Sequence, residues 1–167
     1  MHREGHIGAA LLAYAPVGGV ALALGVDTFA LVGGVVAVGL SMLPDYDQRV
    51  PGLDHRGPTH TVWFALLVGL VLGVVGGLAG RESGPLAVLG LAAFGFLVGV
   101  VTIGSHILAD SLTPAGVRPF APYRDRRYSY DLARASNPIA NYALLGIGVV
   151  VAMVGVGAGV RVAGLVG

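Results

Sequence analysis

Two long uncharged runs, Gly8 to Leu24 and Leu86 to Gly104, constrain the fold of this chain more than any other feature. Charged residues make up only 11% of its 167 residues, and hydrophobic residues make up 55%. A soluble domain has charge on about a quarter of its residues, which keeps its surface hydrated. The charge content therefore excludes a water-facing fold and predicts an integral membrane protein.

Five apolar stretches are long enough, or nearly so, to cross a bilayer, which takes about 20 residues of helix. We predict spans at residues 7–24, 28–43, 61–79, 85–108 and 138–160. Short turns separate most of them, whereas residues 110–137 form one long polar segment. The expected structure is all-α, a single transmembrane helical bundle over residues 1–167.

The arginines predict the orientation of this bundle. Five spans place the two ends of the chain on opposite sides of the membrane. Eight of the ten arginines then lie on the side of the N-terminus, and only Arg81 and Arg161 lie on the other. Basic residues accumulate on the cytoplasmic side. We therefore expect a multi-pass protein of the inner (cytoplasmic) membrane, with its N-terminus and the segment 110–137 in the cytoplasm.

The side chains that could carry chemistry gather at the same, arginine-rich ends of the predicted helices. They are His6, Asp45, Asp47, His55, His60, His106, Asp110, Asn137 and Asn141. Lipid excludes polar groups, which explains why these side chains avoid the spans. It does not explain why all five histidines of the chain, His2 included, lie on one side of the membrane. His106 and Asp110 are four residues apart, so they share one face of a helix.

Imidazole and carboxylate groups at converging helix ends are typical of a site for a divalent metal ion. The chain contains no cysteine, so thiolate ligands are excluded. We expect one or two ions, zinc in the first place and manganese or iron as alternatives. A net charge of +1 argues against a nucleic-acid partner, and membrane lipids are the expected surroundings.

Three blocks of sequence resemble a known family. They are His6-x-Gly8, Leu43-Pro44-Asp45-x-Asp47 with His55-Arg56-Gly57-Pro58-Thr59-His60, and Ser105-His106-x-x-x-Asp110-x-x-Thr113-Pro114-x-Gly116. In this order they are similar to the YdjM-type, LexA-regulated inner-membrane family of metal-dependent hydrolases. Thr61 departs from the serine expected after His60, but it keeps a hydroxyl group.

The resemblance implies a metal site and suggests roles for its residues. We expect the metal ligands to be His6, Asp45, His60, His106 and Asp110. Asp47 is a bridging ligand or general base, or else caps a turn. His55 is a ligand or general acid, or else an ordinary loop histidine. Arg56 either holds a phosphate group or extends towards lipid headgroups.

A weaker resemblance concerns the zinc-dependent phospholipase C and single-strand nuclease enzymes, which share the first half of this ligand order. Their pattern continues with further histidines, and this chain has none after His106. The expected function is hydrolysis of an amphiphilic (phospho)ester at the cytoplasmic interface, through water activated by the metal. The alternatives are a metal transporter or sensor, and a non-catalytic membrane scaffold. The oligomeric state stays open.

Overall fold

The computed structural model describes residues 1–166, which form five α-helices joined by turns and one long connection. The helices are α1 (Arg3–Ala23), α2 (Asp27–Leu40), α3 (Val62–Ala79), α4 (Pro85–Ser111) and α5 (Pro138–Val166). Over these residues no β-strand occurs, only an isolated antiparallel bridge between Val117 and Tyr128. The all-α prediction is confirmed.

All five helices are long and apolar enough to cross a membrane, if the turn that follows α2 is counted with it. Their outer faces carry large apolar side chains, including Leu70, Leu89 and Val150, each at least 59% exposed. In water such surfaces would be costly, whereas lipid covers them without loss. The predicted membrane bundle is therefore confirmed.

The helices extend beyond the predicted spans at both ends of the bundle: α1 and α4 at the arginine-rich end, and α5, which continues to Val166 rather than ending at residue 160, at the other. Helix α1 begins at Arg3 rather than at residue 7, and α4 continues to Ser111 rather than ending at residue 108. Hydropathy alone misses these turns because they are polar. They stay helical because they are packed: His6 in α1 and Asp110 in α4 are almost completely buried.

The bundle is held by two closely packed pairs, α1 against α5 and α3 against α4, and α1 also contacts α2 and α4. Glycines permit the close approach. A β-carbon at Gly148 would collide with the carbonyl group of Gly8, and one at Gly95 would collide with that of Leu72. Small residues serve this purpose in membranes, where helix association depends on close packing.

The long connection between α4 and α5 folds back over the end of α4. Tyr130 and Leu132 donate backbone hydrogen bonds of 2.8 Å to the carbonyls of Ser111 and Leu112. At its other end, Asn137 caps α5, because its side-chain oxygen accepts a 3.2 Å hydrogen bond from the amide of Ala140.

Candidate metal centre

Five side chains from four separate segments meet at the arginine-rich end of the bundle. His6 comes from the first turn of α1, and His106 and Asp110 come from the last turns of α4. Asp45 lies in the 3₁₀ turn Pro44–Arg49 after α2, and His60 ends the 3₁₀ turn Pro58–His60 before α3. Proline starts both turns, which stops the chain from continuing as an α-helix and points it across the bundle end.

Four of these residues bring ligand atoms to within a few ångströms of one another: Asp45, His60, His106 and Asp110. The Nε2 atom of His60 is 3.2 Å from Nε2 of His106 and 3.3 Å from Asp45 Oδ1. His106 Nε2 is 3.5 Å from that same carboxylate oxygen. Ligands of a tetrahedral ion with bonds of about 2.0–2.1 Å are separated by about 3.3 Å. The spacing fits a small divalent ion.

The hydrogen bonds of the two imidazoles fix where their protons lie. His106 Nδ1 is 2.7 Å from the carbonyl oxygen of Ser41, which can only accept, so Nδ1 carries the proton. His60 Nδ1 faces Asp47 Oδ2 at 3.3 Å and the hydroxyl oxygen of Thr59 at 3.0 Å. Thr59 donates its own proton to Asp47, so His60 Nδ1 is also the donor. Both Nε2 atoms therefore present lone pairs to each other.

Two nitrogen lone pairs facing each other at 3.2 Å repel unless a cation lies between them. The imidazoles are completely buried, so water does not screen this repulsion. A metal ion bound between them would remove this repulsion. Ligand histidines typically donate their second N–H to a carbonyl or carboxylate, as both do here.

His6 lies beside this group rather than within it. Its ring stacks on His106, with centroids 3.7 Å apart and planes 6° from parallel. Its Nε2 is 3.5 Å from Asp110 Oδ1 and 3.8 Å from Asp45 Oδ2. Within residues 1–166, neither ring nitrogen of His6 has a hydrogen-bond partner, although both are buried. A buried polar atom rarely lacks a hydrogen-bond partner. A metal ion bound to one of these two nitrogens would satisfy that nitrogen.

Asp110 is oriented by cations on one of its two oxygens. Oδ1 contacts the Nη2 atom of Arg56 at 3.1 Å and also the amino group of Met1. Oδ2 is left to face the imidazoles, 3.6 Å from His60 Nε2 and 3.9 Å from His106 Nε2. The carboxylate thus has one oxygen held by the protein and one available to an ion.

Asp47, predicted as a bridging ligand or base, lies at the edge of the cluster and is nearly saturated with donors. Its oxygens accept from the amide of Arg56 at 3.1 Å, from Thr59 at 2.9 Å and from Nδ1 of His55 at 3.0 Å. Together with His55 and His60 it forms a second group that could hold an ion. Such an ion would compete for His60 Nδ1, which already donates a proton.

His55 is the part of the cluster most open to water, with 43% of its side chain exposed. Asp45 is 13% exposed, and the other members are buried. Access from the surface of the arginine-rich end therefore passes His55.

Arg56 joins the cluster to the long connection. Its backbone has φ of 63°, a region that non-glycine residues seldom adopt, and this conformation aims its amide at Asp47. Its Nη1 atom donates to the hydroxyl of Thr113 and to the carbonyl of Gly116, both at 3.0 Å. The guanidinium is inside the structure, 15% exposed, rather than extended towards headgroups.

Two supporting residues were assigned no role from the sequence. Thr113 is part of one of the sequence motifs that resemble the family, but the motif does not show its role. In the structure it is completely buried and positions Arg56. Ser41 fixes the His106 tautomer through its carbonyl group, which any residue would supply. Asn141 links α5 to the start of α1, because its side-chain oxygen accepts the amide proton of the N-cap residue His2 at 2.9 Å.

Thr59 supports the ligands and does not cap α3. The cap is Thr61, whose hydroxyl oxygen accepts from the amide of Phe64 at 3.3 Å. Thr59 instead donates to Asp47 and contacts His60. A serine in place of Thr61 would keep this cap, because the capping group is the hydroxyl.

One comparison with known proteins gave a match. The family model described as YdjM inner membrane protein matches residues 1–166. Searches of curated proteins and of solved structures gave no match. The weaker resemblance to phospholipase C and single-strand nuclease enzymes therefore has no support from these comparisons and stays a prediction.

Proposed function

This chain belongs to the YdjM inner membrane protein family, and we propose that it is a membrane-bound, metal-dependent hydrolase acting on an amphiphilic phosphoester. The observation that carries the proposal is the pair of buried imidazoles whose Nε2 lone pairs converge at 3.2 Å beside two carboxylates. A scaffold has no need of such an arrangement, because burying ionisable groups lowers stability unless they are fully paired.

In this proposal the ion is held by Asp45, His60, His106 and Asp110, with His6 adjacent. A divalent ion, zinc in the first place, would supply a water nucleophile that is reactive near neutral pH. His55 donates its Nδ1 proton to Asp47, which leaves Nε2 free to accept a proton at the exposed edge of the cluster. A carboxylate that orients an imidazole in this way is a common arrangement in general-base catalysis.

The location of the cluster supports an amphiphilic substrate. The ligands lie at helix ends, close to where Thr61 starts α3, so a bond at headgroup depth is within reach. The guanidinium of Arg56 next to Asp110 is suited to hold a phosphate oxygen and to stabilise negative charge as it develops. A transporter would place its ligands near the middle of the membrane instead.

The test uses the full-length protein in liposomes, supplied with zinc or manganese. Release of inorganic phosphate is measured from phosphatidate, lysophosphatidate and a polyprenyl phosphate. We expect Asp110→Asn to lower the rate at least 100-fold, because removing one interaction that acts on the transition state has effects of this order. Asp27→Asn, at the exposed start of α2 on the other side, should keep the rate of the native protein.

The outcomes separate this proposal from its rivals. Turnover that is lost in Asp110→Asn, in protein whose thermal unfolding stays cooperative, supports the enzyme. Zinc uptake into sealed vesicles without phosphate release would identify a transporter. Purified protein that holds no metal and releases no phosphate would refute the proposal and leave a scaffold.

A further inference from the structure

We propose that the phosphate group of the amphiphile binds in a basic pocket beside the metal centre, while its apolar chain lies in an adjoining groove at the start of α3. As an account of substrate binding this rests on the proposed function. The amphiphile is bound as one molecule, with its headgroup on the water side and its chain on the lipid side.

The basic pocket is a cavity of about 480 Å³. It is bordered by His55 and three arginines, Arg56, Arg118 and Arg127, and by a single carboxylate, Asp125. Two of its walls also touch the metal centre, since His55 contacts Asp47 and Arg56 contacts Asp110. An anion in this pocket therefore lies directly beside the cluster.

Arg127 supplies the positive charge that is not already balanced. Arg56 is paired with Asp110, and Arg118 is 3.0 Å from Asp125. Arg127 donates only to the carbonyl of Ala115, and no carboxylate in residues 1–166 forms a salt bridge with it. Guanidinium groups bind phosphate oxygens in pairs of parallel hydrogen bonds, so Arg127 is suited to hold the headgroup.

The groove next to this pocket is larger, about 1070 Å³, and mainly apolar. It shares Arg56, Arg118 and Asp125 with the basic pocket, so the two spaces are adjacent. Its other wall is formed by the first turns of α3, including Trp63 and Leu67, which are 45% and 55% exposed. Because α3 enters the membrane here, the groove leads from the headgroup level towards the lipid.

The adjacency of the two spaces favours an amphiphile over a free phosphate ion. Inorganic phosphate would occupy only the basic pocket and would leave the apolar groove empty. An acyl or prenyl chain extends the ligand past the ring of Trp63, which packs edge-on against Tyr123 with centroids 5.4 Å apart. Chain and headgroup would then contribute together to binding.

Trp63 provides a direct measurement, because it is the only tryptophan in the chain. Brominated acyl chains quench tryptophan fluorescence on contact. We would titrate the detergent-solubilised, full-length protein with a brominated diacyl phosphonate, an uncleavable analogue of phosphatidate. Brominated diacylglycerol with the same chains measures quenching that does not depend on the headgroup. We expect the phosphonate to quench at a concentration about tenfold lower, as one charge-assisted contact allows.

Two variants assign this preference to the pocket. Arg127→Gln should remove most of the tenfold difference. Arg124→Gln is the matched control: it lies in the same segment and is exposed, but it borders neither the pocket nor the groove, so the preference should remain.

Equal quenching by the two lipids would overturn the proposal, as would equal losses in Arg127→Gln and Arg124→Gln. Inorganic phosphate that displaces the phosphonate at similar concentrations would assign the pocket to free phosphate and would also overturn it. The measurement reports binding and not turnover. A headgroup preference in a protein without activity would refute only the hydrolase, and activity without the preference would refute only the binding site.

Discussion

Both ends of the helical bundle consist of helix ends and polar turns, but their charged and polar side chains differ in exposure to solvent. At the end opposite the cluster, Arg81 and Glu82 pair with each other and are 72% and 83% exposed. At the arginine-rich end, the side chains of His60, His106 and Asp110 are at most 1% exposed.

This difference separates two explanations for polar residues at helix ends. Exclusion from lipid requires only that charged groups leave the spans, and the Arg81–Glu82 turn meets that requirement in water. It does not require the opposite end to bury three histidines and two carboxylates among themselves. Burial of such groups is costly unless they are paired or bind a metal. The asymmetry therefore points to selection for a site.

The comparison is tested most strongly by removing the two facing imidazoles. We expect native protein purified in detergent to carry one or two equivalents of a transition metal, and His60→Ala with His106→Ala to carry none above background. Elemental analysis measures this. The double variant Arg81→Gln with Glu82→Gln alters as many polar side chains at the other end and should keep the metal. Equal metal content in all three proteins would mean that the buried cluster is structural.

Substituting a residue that contacts the proposed metal ligands should have a smaller effect on metal binding. Thr59→Val removes the hydroxyl that contacts Asp47 and His60, so the imidazole loses part of its orientation. Metal affinity should fall by about 10- to 100-fold, as for other outer partners of metal ligands. Competition with a chromophoric chelator measures this affinity.

Thr61→Val is the matched control for Thr59→Val. This substitution removes the cap of α3 but leaves every contact to the proposed metal ligands in place. The free energy of unfolding should fall by about 1 kcal/mol, while metal affinity stays unchanged. If both variants lowered metal affinity equally, the effect of Thr59 would lie in the local fold rather than in its hydrogen bonds.

The last prediction concerns the packing of α1 against α5 near the arginine-rich end. Gly148→Ala places a methyl group against the carbonyl of Gly8, two residues from His6, and should destabilise the protein by about 1–3 kcal/mol. Gly146→Ala is the control, because a β-carbon there meets no atom within 4 Å. Unfolding in detergent, followed by circular dichroism, compares the two. Equal stability would show that α1 and α5 tolerate a wider separation.

The sequence was sufficient to predict the five helices and to predict that the polar residues gather at one end of the bundle. Uncharged runs specify spans, and alternation of the spans brings His6, Asp45, His60 and Asp110 to the same side. The helices extend beyond the predicted spans where polar residues remain helical, as at Arg3, because hydropathy does not register packing against a neighbouring helix.

The details of the site depend on contacts that have no signature in the sequence. The tautomer of His106 is set by the backbone carbonyl of Ser41, sixty-five residues away. Arg56 turns inward because its left-handed backbone and Thr113 place it beside Asp110. Thr113 stands in a recognised motif, yet only its position in space shows what it contacts.

The ligands lie far apart along the chain, from His6 near its start to Asp110 at the end of α4. A single ion bound among them would tie four helices together at one point, as a cross-link does. The ligand set is incomplete until α4 has been synthesised and has entered the membrane. An ion held by the whole proposed ligand set would therefore be bound only after insertion, and it would lock the order of the first four helices.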